Sequence, residues 1–273
     1  MIIDGEIWLI GCGNMGGALL RGWLARGLDP SAVTVVDPKP PADAPGVTHL
    51  PQTPADATPV SVLILAIKPQ MLAGVVASLQ PLAGPETVIL SVLAAPGIAA
   101  LKAAFPRAAA IVRTVPNLPA SIGKGITAVF AQPSSPRIDT LAEQLLAPLG
   151  EIIWLDDEAQ CDAVTAVAGC GPAFLFRFAD ALIKAGEDLG LPSATTTRLV
   201  EATLSGSIEL MLRSDDPPSH LAARVASPGG VTLEGLKVLD HDAALDTLIR
   251  RTLVAARDRS VEMSKRFSAT DRN

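Results

Sequence analysis

The sequence predicts an α/β domain built on a doubly wound, mostly parallel sheet, followed by an all-helical C-terminal domain. Three observations carry this. Up to about residue 155, short β-branched or aliphatic runs alternate with amphipathic segments, the rhythm of βαβ units. The first run passes straight into a glycine-rich turn and then a helical pattern. Beyond Trp154 the strand-like runs stop and apolar residues recur at helical spacing.

The expected strands are 6–10, 33–37, 60–67, 87–92, 109–113, 125–131 and 150–154. Between 37 and 59 the chain is rich in Pro, Ala and Asp, too broken for a long helix, so one short strand near Val47 is expected among exposed loops. Helices are expected over 159–168, 172–189, 192–213, 233–240 and 243–265. In the third of these, Leu199, Ala202, Leu204, Ile208 and Met211 spread beyond one narrow stripe, as in a helix packed on several sides between subunits. The expected domains are 1–157 and 158–273, with a polar, frayed end over 267–273.

Of the 273 residues 49% are apolar and none is Tyr, so the cores are mainly aliphatic. The net charge of −6 is spread along the chain, which argues against nucleic acid or an anionic membrane as partner. Cys12, Cys161 and Cys170 are odd in number and lack CxxC spacing, so neither a disulfide framework nor a metal site is expected. Asp4 and Glu6 stand where a secretory signal needs basic residues, and no apolar run is read as reaching the roughly 20 residues of a membrane span. A soluble, cytoplasmic protein is expected.

The turn reads Gly11-Cys12-Gly13-Asn14-Met15-Gly16, between a strand and a helix carrying Ala18, Leu19, Leu20, Trp23 and Leu24. In such a Rossmann-type unit the first glycine takes the tight turn, the second lets the backbone approach a pyrophosphate, and the third permits close helix–strand packing. The helix N-terminus offers its amides to the anion. Asp37, 26 residues after Gly11, ends the second strand, where a carboxylate bonds the hydroxyls of an unphosphorylated ribose; this leans towards NADH. Lys39 could instead meet a 2′-phosphate, which keeps NADPH open. Ala66-Ile67-Lys68-Pro69-Gln70 follows another strand, so Lys68 stands at a carboxyl strand end, where open α/β sheets bind ligands.

Near the C-terminal part, Ser227-Pro228-Gly229-Gly230-Val231-Thr232 precedes a helix. Its amides can form an anion-binding nest, or it is a plain junction capped by Ser227 or Thr232. With the glycine turn, the 66–70 segment, Val112-Arg113-Thr114-Val115-Pro116-Asn117-Leu118-Pro119 and Thr165-Ala166-Val167-Ala168-Gly169-Cys170-Gly171-Pro172-Ala173-Phe174, it resembles, in order, the pyrroline-5-carboxylate reductase family.

The resemblance implies an NAD(P)H-dependent reductase that delivers hydride to a cyclic imine and yields L-proline. It implies that Ser227, Gly230, Val231 and Thr232 hold the substrate carboxylate and that the Thr232 hydroxyl, the catalytic group, bonds the ring nitrogen. Asp215 and Glu158 match acidic residues near that site, while Lys68 and Asn117 match the nicotinamide end and Ala66 and Pro69 are further cofactor-binding positions. A homodimer or larger homo-oligomer built on the helical domain is also implied. The sequence departs from the family at Cys170, commonly Ser, and at Phe174, commonly Tyr.

The residue inventory suits chemistry that needs few acid–base groups. There is no Tyr, and His49, His220 and His241 fall outside the motifs, in or beside loops, and are expected at the surface. Arg224 is expected as a solvated helix charge. The Gly-x-x-x-Asn-x-x-Lys helix of β-hydroxyacid dehydrogenases is replaced here by Gly169-Cys170-Gly171-Pro172. A nicotinamide-binding regulator without turnover would not need the 227–232 motif.

Overall fold

The computed structural model of the chain describes Ile3 and residues 5–270. Asp4, on which part of the N-terminal reading rests, and the last three residues of the expected frayed end lie outside them. Eight strands form one sheet: β1 Ile7–Ile10, β2 Val33–Val36, β3 Thr48–Leu50, β4 Val62–Leu65, β5 Val88–Ser91, β6 Ala110–Pro116, β7 Gly125–Gln132 and β8 Gly150–Trp154. Their order is β3-β2-β1-β4-β5-β6-β7-β8, and every pairing is parallel except β6–β7. The order reverses between β1 and β4, so the crevice outside their carboxyl ends is the topological switch point.

The helices are α1 Asn14–Ala25, α2 Leu72–Leu79, α3 Ile98–Ala104, α4 Pro136–Leu146, α5 Gln160–Val164, α6 Gly171–Asp188, α7 Ser193–Leu212, α8 Pro218–Arg224, α9 Val231–Asp240 and α10 Ala244–Thr270. Helices cover both faces of the sheet, which explains why its central strands read as unbroken apolar runs. Ile7 and Leu9 point to a core with Leu19 and Trp23 of α1 and Leu145 of α4. Trp8 and Ile10 point to the other, with Leu79 of α2 and Leu101 of α3. The Trp23 indole N–H donates to the Leu145 carbonyl at 2.8 Å, tying α1 to α4 while satisfying a buried donor.

Two compact units result: Met1–Cys170 with Ala256–Asn273, and Gly171–Ala255. Within the first, the returning end of α10 is held by Ser260, whose hydroxyl donates to Asp162 of α5 at 2.6 Å. α5 runs on through a π-helical turn, Thr165–Gly169, closed by Cys170 N donating to the Thr165 carbonyl at 2.8 Å. Within the second unit, Thr196 of α7 is buried against α6, where a Cβ added to Gly186 would stand 2.5 Å from its methyl group.

Four expectations need correction. The helix Gln160–Asp188 is long and apolar enough, by length and composition, to cross a membrane, because Ala, Val, Leu and Phe fill its first turns almost without charge. α8 was not expected, since seven residues behind a Pro pair are too few to show a period. α10 runs through Thr270, four residues into the polar end. His49 is no surface loop residue: it lies on β3, half-buried, with Nε2 2.8 Å from the Asp37 carbonyl.

Candidate active site

The turn after β1 has the geometry its glycines foretell. Gly11 has φ +92°, a conformation that side chains rarely adopt. A Cβ on Gly16 would stand 2.1 Å from the Gly11 carbonyl oxygen, so helix and turn touch backbone to backbone. A Cβ on Gly13 would meet nothing within 4 Å, which leaves that side of the turn open to a ligand. Among the described residues no side chain caps α1, which leaves its first amides free for an anion. The cradle fits a dinucleotide pyrophosphate. Burial pushes the Cys12 thiol up, the Asp37 charge adds to this and Arg21 opposes it.

Asp37 is fixed by every polar group it has. Its carboxylate accepts from Cys12 N at 2.8 Å and from Lys39 N at 2.9 Å. Its own N–H donates to the Leu50 carbonyl at 3.1 Å, and its carbonyl accepts from His49. Because a carbonyl can only accept, His49 Nε2 carries the proton. The second strand's acid is thus joined to the glycine turn, with lone pairs to spare for a ribose hydroxyl. Lys39 is exposed. Sequence reasoning missed His49, whose only signal was its position in the short strand.

The neighbouring loops complete the carboxyl edge. Ala66 N donates to the Ile10 carbonyl at 2.8 Å, extending the β1–β4 pairing across the switch point. Lys68 is exposed and precedes the 3₁₀ turn Pro69–Met71. Past β6, Asn117 Oδ1 accepts from Ile126 N at 3.0 Å, holding the crossing to β7 while its amide nitrogen stays available. The fold therefore brings residues 11–16, Asp37, Ala66, Lys68, Pro69 and Asn117 to one edge of one sheet.

The 227–232 motif lies in the second unit. Gly230 N donates to the Ser227 carbonyl at 2.9 Å, Gly229 has φ +69°, and α9 begins at Val231, two residues before the expected start. Among the described residues no side chain caps this helix, so capping by Ser227 or Thr232 is not what the motif does here. Ser227 and Thr232 are exposed, and Val231 is 91% exposed, an apolar residue with no covering from its own chain. Asp215, in the link between α7 and α8, is exposed too. Its neighbour Asp216 takes Arg224 at 3.0 Å, so Arg224 is a paired helix charge.

Glu158 is differently placed, in the first unit. Its Oε1 accepts from Arg113 Nη1 at 2.8 Å and from Ile98 N at 2.6 Å. Arg113, inside the 112–119 motif, was not singled out from sequence because an arginine within a strand gives no sign of its partner. Cys170 serves the π turn through its backbone, and Phe174 is half-buried on α6. No group of three or more His, Cys, Asp or Glu able to hold a metal occurs among the described residues.

Residues 158–263 match the family model described as pyrroline-5-carboxylate reductase dimerisation, and 6–95 match that of NADP oxidoreductase, coenzyme F420-dependent. A pyrroline-5-carboxylate reductase of Pseudomonas aeruginosa is 36% identical, covering 96% of this chain and 98% of its own. The structure of a pyrroline-5-carboxylate reductase from Coxiella burnetii superposes with a TM-score of 0.86 at 30% identity, covering 96% of this chain and 99% of its own. The Plasmodium falciparum pyrroline carboxylate reductase, solved with NADP bound, superposes with a TM-score of 0.84 at 24% identity over 97% and 100%, a likeness of fold alone. Identity of this level over nearly the full length, joined to the glycine turn at the switch point and the uncapped 227–232 turn, places the chain in the pyrroline-5-carboxylate reductase family.

Proposed function

We propose that the protein reduces the C=N bond of pyrroline-5-carboxylate to L-proline with NADH or NADPH, the last step of proline biosynthesis. The observation that carries this reading is the coexistence of two anion cradles, each at an uncapped helix start: the glycine turn before α1 and the 227–232 turn before α9. The first suits a pyrophosphate and the second a carboxylate.

A bound reduced nicotinamide supplies the hydride. The chain's own work is to place and polarise. Gly11, Cys12, Gly13, Asn14, Met15 and Gly16 hold the pyrophosphate, Asp37 orients the adenosine ribose, and Ala66, Lys68, Pro69 and Asn117 border the nicotinamide end. Ser227, Gly230 and Val231 hold the substrate carboxylate, with Asp215 as the acidic neighbour. The Thr232 hydroxyl orients the ring nitrogen, and since the protonated imine already carries positive charge, a neutral donor–acceptor suffices. Residues 1–157 bind the cofactor; 158–273 bind substrate and associate between subunits into a homodimer or larger ring. The dispersed acidic charge supports a cytoplasmic enzyme without nucleic-acid or membrane partners.

The test is steady-state oxidation of NADH and of NADPH by purified protein with pyrroline-5-carboxylate, with a ketone acid as control. Fast oxidation confined to the imine is expected. Cofactor binding without turnover would mean a regulator instead.

A further inference from the structure

The buried charge nearest the carboxyl edge of the sheet is Arg113, only 3% exposed. It is in register with Ser91, the last residue of β5, and its guanidinium donates to Glu158 Oε1 at 2.8 Å and to the Ala94 carbonyl at 3.3 Å. The same Glu158 oxygen accepts from Ile98 N at 2.6 Å, so it caps α3 from 60 residues away in sequence. Gly97 packs beside the same carboxylate. Its φ of −78° and ψ of 172° suit any residue, so the backbone does not call for glycine there. A Cβ at that position would stand 2.8 Å from Glu158 Oε1, so any side chain there has to push the carboxylate aside.

Glu158, two residues before α5, thus fastens the first residue of α3 and strand β6 through one carboxylate oxygen, and Arg113 ties in the loop 92–97 through the Ala94 carbonyl. β5 lies between β4 and β6, so that loop runs between the loops bearing Lys68 and Asn117. Resting on the reductase reading above, we propose that Glu158 and Arg113 are a positioning pair that fixes loop 92–97 as the floor of the nicotinamide site, in place of a direct contact from Glu158 to substrate.

Two substitutions in the full-length protein test this. Glu158→Gln keeps an acceptor for Ile98 N but removes the charge facing Arg113; Gly97→Ala displaces the carboxylate and leaves every charge in place. Each is expected to weaken cofactor binding, read by NADH fluorescence titration, and to lower kcat about tenfold or more, as misplacement of reacting groups does. The KM for pyrroline-5-carboxylate should stay unchanged, and the primary isotope effect with reductant deuterated at the nicotinamide C4 should rise. A raised imine KM with kcat and cofactor affinity intact would make Glu158 a substrate ligand and overturn the proposal. So would a loss of kcat that matches the loss of folded protein with the isotope effect unmoved. If Glu158→Gln does not fold, Gly97→Ala decides by the same readouts. Wild-type protein inert towards the imine would sink the reductase reading alone; the pair would then stand or fall on the cofactor titration.

Discussion

Asp37 is held on four sides, by the Cys12 and Lys39 amides, the Leu50 carbonyl and His49. A carboxylate so fixed cannot swing away from a 2′-phosphate, and like charges in contact are costly. Asp37→Ser is expected to shift the ratio of kcat/KM for NADPH over NADH upward by about tenfold, ~1.4 kcal/mol; an unchanged ratio would assign selectivity to Lys39. At the second cradle, on the role proposed for it, Thr232→Ala removes one hydrogen bond to the ring nitrogen. Turnover should drop about five- to tenfold, the worth of roughly 1 kcal/mol, with the cofactor dissociation constant unmoved; an undiminished kcat would refute the role. The places of Asp37 and Thr232 in the fold were legible in sequence because their motifs fix backbone shape. His49 and Arg113 were not, because their partners lie 12 and 45 residues away and only folding brings them together.

Among the elements, the glycine turn admits little change. A methyl group on Gly16 would meet the Gly11 carbonyl, an atom that cannot rotate aside. Gly16→Ala should cost about 1–3 kcal/mol of stability, as overpacking does, and abolish NADH binding; a calorimetric melt and a fluorescence titration check both. The strands matched their apolar runs except at the ends. The expected 60–67 narrows to Val62–Leu65, and 109–113 lengthens to Pro116 because β6 outruns β5 and continues pairing with β7. Apolar content marks what is buried, whereas pairing marks what is strand, and the neighbour's length decides the second. The early start of α9 has a similar cause: Val231 and Thr232 carry no helical period of their own, yet the turn closed by Gly230 launches them into one.

Over the whole molecule, the helical segments leave an unusual amount of apolar surface uncovered. Leu175, Phe176 and Phe178 of α6, Leu199 and Leu210 of α7, and Leu248 of α10 are all exposed. Exposed apolar residues in such number mark association surfaces, and these fall in the stretch matching the dimerisation model. Light scattering should give a mass of at least two chains, and Phe176→Glu with Leu210→Glu should shift it towards one; a monomeric wild type would remove the basis for this expectation. The sequence by itself determined the α/β-then-helical layout, the strand sites, the longer C-terminal helices and the glycine turn, since period and local backbone demands are written in consecutive residues. Only the tertiary structure decided that Asp37 is braced by His49, that Glu158 is spent on Arg113 and Ile98, and that the 227–232 turn is left uncapped, because hydrogen-bond partners distant in sequence are chosen by the packing of the sheet and its helices.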